Sequence, residues 1–195
     1  MEHKIDSDGT QRWYINGKYN RDNDLPAIIE ADGTQAWYKN GLLHRDNDKP
    51  AIIEANGTQH WYINDKLHRE NDKPVIIRVN GTQEWYKNKK LHRDNDLPAV
   101  IQANGTQEWY INGKLHREIF PAVIYKDGTQ CWLINGKYHR LYGPAIIYKD
   151  GSKEGWYVNG KGITKEVIEW MDEFGVRRDW VNWDDKEKFL FKLRF

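Results

Sequence analysis

A single cysteine, Cys131, stands in 195 residues, so the chain cannot hold an internal disulfide framework. That fits a reducing compartment, here expected to be the cytoplasm, and argues against a disulfide-forming secretory route. No apolar run approaches the roughly 18 residues of a membrane-spanning helix, and the Met-Glu-His-Lys opening does not read as a signal peptide. Charge of one sign is also lacking. Thirty basic against 29 acidic residues leave +1, which supplies no global field for nucleic acid or an anionic membrane. Hydrophobic residues are only 38% and mean hydropathy is −0.93, too little for a conventional large core. What is present is aromatic. Ten Trp are far too many for a disordered chain of this polarity, so apolar area is concentrated in a few large rings.

Internal repetition organises the rest. Asp/Asn-Gly-Thr, or Asp-Gly-Ser, begins at 8, 32, 56, 80, 104, 127 and 150, a period of 24 residues that shortens to 23 in the last two intervals. Six full copies and a partial seventh fill residues 1–162. The density of Gly, Pro and Asn excludes helix. Asp-Gly and Asn-Gly between apolar segments are hairpin signals, because a type I′ turn needs positive φ at both central residues. The predicted hairpin pairs 27–31 with 34–38 across a two-residue Asp32-Gly33 turn, placing Ile28 opposite Trp37 and Ile29 opposite Ala36. Pro26, Pro50, Pro74, Pro98, Pro121 and Pro144 open strands, where a missing N–H does least harm. Trp13, Trp37, Trp61, Trp85, Trp109, Trp132 and Trp156 recur in every copy and are expected on the buried face, covered by the Leu-His-Arg-to-Pro segment. The expected fold is an all-β repeat: stacked antiparallel hairpins in an elongated single-sheet rod with a small α+β cap at residues 163–195.

The Asp-Gly-Thr turn, the aromatic strand and Tyr38-Lys39-Asn40-Gly41 followed by His44 resemble the MORN repeat. In MORN units the His is followed by Gly-x-Gly; here it is followed by Arg and an Asp-Asn-Asp-x-Pro loop, which is similar to a Trp-Tyr-x-Asn-Gly-Lys-x-His-Arg variant found in large DNA viruses and phages. The resemblance implies a hairpin-repeat fold and a non-enzymatic scaffold, with some lipid binding suggested for the family, and for a viral chain a place in the host cytoplasm or the virion.

After Gly162 the period vanishes. Residues 163–175 read as an amphipathic helix with Thr164 as N-cap, Glu166 in the first turn, Gly175 as terminator and Val167, Met171 and Phe174 on its apolar stripe. Phe189, Phe191, Leu193 and Phe195 alternate as in a strand. The fifth and sixth copies replace their acidic loops with Glu118-Ile119-Phe120 and Leu141-Tyr142-Gly143, apolar surfaces expected to receive the helix stripe.

His44, His68, His92, His116 and His139 form a row, but equivalent side chains about 10 Å apart cannot share an ion, so hydrogen-bonded structural histidines are expected and no metal. The Asp22-Asn23-Asp24 loop and its counterparts lack the glycine and distal Glu of a calcium loop; they read as self-capping turns, with the preceding Arg (Arg21, Arg45, Arg69, Arg93) as ion-pair partner. No catalytic group and no cofactor is expected, since every polar cluster is repeated whereas an active site is unique. The predicted binding surface is the row of Tyr14, Tyr38, Tyr62, Tyr86 and Tyr110 with the copy-specific residues Arg12, His60, Glu84 and Glu108, amphipathic rings beside a variable position. The expected partner is another protein, with a glycan or a phospholipid surface as the alternatives, and not nucleic acid.

Overall fold

The structure is a computed structural model that describes residues 1–151 and 154–195. The seventh Asp-Gly-Ser turn, predicted at 150–152, ends outside the described residues. The chain forms two compact units, one of Met1–Leu91 with Val100–Ala103 and one of His92–Ala99 with Asn104–Phe195.

The fold is the all-β repeat that the period predicts, with a helical C-terminal part. A complete copy contributes four short strands, in the second copy Ile28–Ile29, Gln35–Ala36, Tyr38–Lys39 and Leu42–Leu43. The first two of each copy enter an antiparallel meander. In the first unit it starts at Glu2–Ile5 and Gln11–Ile15 and runs through the Ile28–Ile29 and Gln35–Ala36 strands to Val100–Ile101. In the second it runs from Gln107–Glu108 through Val123–Ile124, Gln130–Cys131 and Ile146–Ile147 to Glu154–Gly155. The other two strands of the second through seventh copies form separate two-stranded hairpins beside it.

The two turns of a copy use similar dipeptides and adopt different geometries. At Asn40-Gly41 both residues have positive φ, 54° and 86°, and Lys39 faces Leu42, as a two-residue type I′ turn requires. At Asp32-Gly33 only the glycine does, and Gly33 N–H and Glu30 N–H donate to the carbonyls of Glu30 and Thr34 at 2.9 Å each. The predicted register is therefore corrected by one residue: Ile28 faces Ala36 and Ile29 faces Gln35. The cause is the Asp32 carboxylate, which accepts the Thr34 N–H at 2.8 Å and fixes a type I turn closed by a left-handed glycine, a three-residue loop. Ile28 thereby moves off the Trp face and onto the Tyr face. In the second unit the equivalent residues Val123, Cys131, Leu133 and Ala122 form one apolar cluster with Leu115, Tyr138 and Ile146.

All seven repeat tryptophans are buried, 3–6% exposed, as expected. The C-terminal part is corrected in two places. Helix α1 (Thr164–Phe174) ends at a left-handed Gly175 as predicted, but Thr164 makes no side-chain cap, and Phe174 is exposed while Trp170 joins Val167 and Met171 inside. The predicted strand at Phe189–Phe195 is helix α2 (Asp185–Arg194), opened by a capping box between Asp184 and Glu187, with Lys192 and Arg194 in its last turn. Phe191 and Phe195 lie one turn apart with ring centroids 4.9 Å apart and tilted by 38°, while Phe189 and Leu193 face outward. Trp156, Trp170, Trp183 and Phe191 make the core of this end. Ile119, Phe120 and Tyr142 remain exposed rather than covering α1.

Candidate functional site

Consecutive copies are held by a repeated cation–aromatic clamp. The Arg45 guanidinium lies 3.8 Å from the Trp37 ring centroid and donates to the Pro50 carbonyl at 3.3 Å. Its Nε and Nη2 donate to both oxygens of Asp24, at 2.8 and 3.0 Å, while Lys49 Nζ reaches the same carboxylate at 2.7 Å. Trp37 Nε1 donates to the Asp24 carbonyl at 3.0 Å. The set recurs as Asp48, Arg69, Lys73 and Trp61, and in the second unit as Asp96, Arg117 and Trp109. The predicted pairing of Arg45 with the Asp46-Asn47-Asp48 loop that follows it is thus corrected. The Arg reaches back to the preceding loop, and Asp46 takes Lys39 and His44 instead, at 2.7 and 2.9 Å. Charge-assisted hydrogen bonds from Arg45 and Lys49 pull the Asp24 carboxyl down to about 2, and the Arg69 and Lys73 bonds hold Asp48 well below the usual carboxylate range.

The histidines serve the same purpose from the other side. His44 Nδ1 lies 3.1 Å from Asn64 Oδ1, and the Nδ1 atoms of His116 and His139 accept the backbone N–H of Asn135 and Asn159 in the following turn. His44, His92, His116 and His139 thus tie their hairpins to the next, the hydrogen-bonded role expected of the row, while His68 pairs with Glu70 of its own copy.

The predicted binding residues fall on the Tyr face. Tyr14, Tyr38, Tyr62, Tyr86 and Tyr110 are half-buried, and the Tyr14, Tyr19 and Tyr38 rings follow one another at 4.9 and 5.2 Å. The copy-specific residues meet side chains on their own hairpin: Arg12 bonds Asp6, His60 Nε2 lies 2.8 Å from Glu54, and Tyr110 donates to Glu108 at 2.8 Å. Glu84 is 6% exposed, bonded to Arg78 and accepting the Tyr86 hydroxyl at 3.1 Å. Burial, with Glu84 beside it, pushes the Tyr86 hydroxyl up to about 12.

Two of the grooves are lined in part by copy-specific residues. In the second unit a cavity of about 470 Å³ lies between the loop at 92–97 and the apolar Ile119-Phe120 loop, with Tyr110 in its lining. In the first unit a cavity of about 650 Å³ is lined by Ile63, Leu67 and Tyr86 together with Lys66, Lys87 and Lys89. Among these residues only Tyr86 and Tyr110 were expected at a site. The loop switch at 119–120 and the replacement of a turn glycine by Lys89 were the signals for the rest.

No protein-family model matches the sequence, and no curated protein is detectably similar to it. The fold defines a class: a repeated β-hairpin protein with a helical C-terminal part.

Proposed function

We propose that this is a non-enzymatic, MORN-like binding module or scaffold whose partner is another protein. The observation that carries the reading is the division of labour between repeated and copy-specific residues. The repeated Trp, Arg, Asp and His are occupied with one another, binding copy to copy. Copy-specific Ile119 and Phe120 are exposed, 77% and 55%, on the wall of an open groove that also offers Tyr110. Aromatic and aliphatic side chains around a concavity are what a protein partner anchors in. The resemblance of the unit to the MORN repeat supports the same reading, since MORN proteins are mostly scaffolds.

The test is affinity capture from the native source with the wild-type chain and with the double variant Ile119→Ser, Phe120→Ser. A protein retained by the first and lost by the second supports the reading. Identical capture by both overturns the groove. Sedimentation with anionic vesicles at physiological salt replaces the protein reading with the lipid one.

A further inference from the structure

The second residue of the Asn-Gly-type turn is glycine in five copies, at 17, 41, 113, 136 and 160. In the third copy it is Asp65, whose carboxylate accepts the Leu43 N–H at 2.7 Å and so docks the turn on the hairpin before it. In the fourth it is Lys89, at φ 61°, the left-handed region that a residue with a Cβ adopts only under strain. The neighbourhood makes the choice stranger. At the second turn the stem of Lys18 lies along the glycine, so that a Cβ on Gly41 would sit 3.4 Å from Lys18 Cβ, and Lys137 lies likewise against Gly160. Lys66 holds the Lys18 position two copies on, and the residue that takes the Gly41 position there is Lys89. Both side chains line the 650 Å³ cavity, with Lys87 beside them. Among the described residues, neither Lys66 nor Lys89 has a side-chain partner. Two like charges share one cavity lining, Lys66 from a strand and Lys89 from a left-handed turn position, with Ile63, Leu67 and Tyr86 as its apolar part.

We propose that this cavity in the first unit is a docking site for an acidic peptide segment of a partner protein, with Lys66 and Lys89 taking its carboxylates and the apolar part of the lining taking an adjacent aliphatic or aromatic side chain. Charge complementarity selects the occupant. Lys66 and Lys89 both lie on the lining, while the one carboxylate there, Glu70, is turned to His68 at 3.0 Å. A polyphosphate or nucleic-acid strand would need a longer basic track than one turn provides, and an apolar lining would add nothing to a bare phosphate. Singly charged carboxylates interleaved with apolar side chains use both parts of the lining.

The site takes the class of its occupant from the protein-binding reading, but it stands apart from the Ile119 groove, so the two fail separately. The probe is a fluorescein-labelled peptide of alternating glutamate and leucine, followed by fluorescence anisotropy. Wild type should bind it, more weakly as salt rises. Lys89→Gly, which installs the residue of five other copies and relieves the strain, should bind about tenfold more weakly, and Lys66→Ala should do the same. Circular dichroism and Tm of Lys89→Gly, equal to or above wild type, exclude misfolding. Failure of wild type to bind the peptide, equal binding by Lys89→Gly, or binding of inorganic phosphate or phosphatidylserine vesicles in its place would each overturn the proposal.

Discussion

The backbone N–H of Trp156 donates to the hydroxyl of Thr164 at 3.0 Å, and that bond marks where the array stops. In earlier copies the same N–H donates to the next copy's alanine carbonyl, as Trp13 does to Ala27, Trp37 to Ala51 and Trp132 to Ala145, each at 2.8 Å. At Trp156 no further copy follows, and the first residue of α1 supplies the acceptor instead. Thr164→Val keeps the shape and removes the oxygen. It should cost about 1–3 kcal/mol by leaving a buried donor unpaired, and Thr164→Ser should cost much less. Urea denaturation of the two variants checks this; equal losses would mean that the hydroxyl does not close the array.

Acid should loosen the clamps in a defined window. The folded Asp24 carboxyl lies at about 2, below its ordinary value of 3.8, because Arg45 and Lys49 bond its charged form. A depressed carboxylate contributes stability that is present above its unfolded value and is lost as pH falls through its folded value. Thermal melting between pH 5 and pH 2 should therefore show Tm falling below about pH 4. Asp24→Asn should lower Tm at pH 5 and flatten the fall, since its contribution is already gone. An unchanged acid limb would remove Asp24 from the account.

Glu84 should not behave as a surface residue. Its side chain is 7% exposed, bonded to Arg78 and to the Tyr86 hydroxyl. Glu84→Ala leaves both partners without their acceptor and should cost about 1–3 kcal/mol, well outside the ±0.5 kcal/mol of an ordinary exposed site. Arg78→Glu combined with Glu84→Ala reproduces the Glu30–Ala36 pair of the second copy and should recover most of the loss. Chemical denaturation of the single and double variants reads this directly.

The same residue shows how far the sequence could be read. Period, hairpins, the type I′ turn at Asn40-Gly41 and the burial of every repeat Trp all follow from local patterns that one copy displays and the others confirm. Register does not, because Asp32-Gly33 is compatible with a two-residue or a three-residue loop, and the Asp32–Thr34 bond decides between them. With the register one residue off, Glu84 reads as exposed. Apolar alternation at 189–195 was equally ambiguous, since Phe191 and Phe195 also satisfy a helical spacing, and the Asp184–Glu187 capping box was the decisive signal. The Arg45–Asp24 pairing spans 21 residues and is visible only once the copies are stacked. Lys89 departs from the glycine of five other copies, which is readable in the repeat, but that it shares a cavity with Lys66 needs the hairpins in place.

The last prediction concerns how the helical end meets the sixth copy. Gly143 is buried at φ 142°, a conformation that favours glycine, and a Cβ there would lie 2.7 and 2.9 Å from Trp180 Cε3 and Cζ3. Trp180 in turn donates from Nε1 to Glu154 at 2.8 Å and faces Arg140, whose guanidinium lies 4.7 Å from its centroid and 3.8 Å from that of Trp132. Earlier clamps set a carboxylate against this arginine; here the fifth loop offers Ile119-Phe120, and an indole lies over the cation instead. Burial lowers the Arg140 guanidinium to about 10. Gly143→Ala should therefore cost about 2–4 kcal/mol, part from the backbone and part from the displaced ring. Trp180→Ala removes the ring and should itself destabilise by uncovering Arg140. In the double variant the steric part vanishes, so the combined loss should fall short of the sum of the two single losses by at least about 1 kcal/mol. Thermal melts followed by tryptophan fluorescence and by far-ultraviolet circular dichroism measure all three; strict additivity would show that Gly143 and Trp180 do not touch.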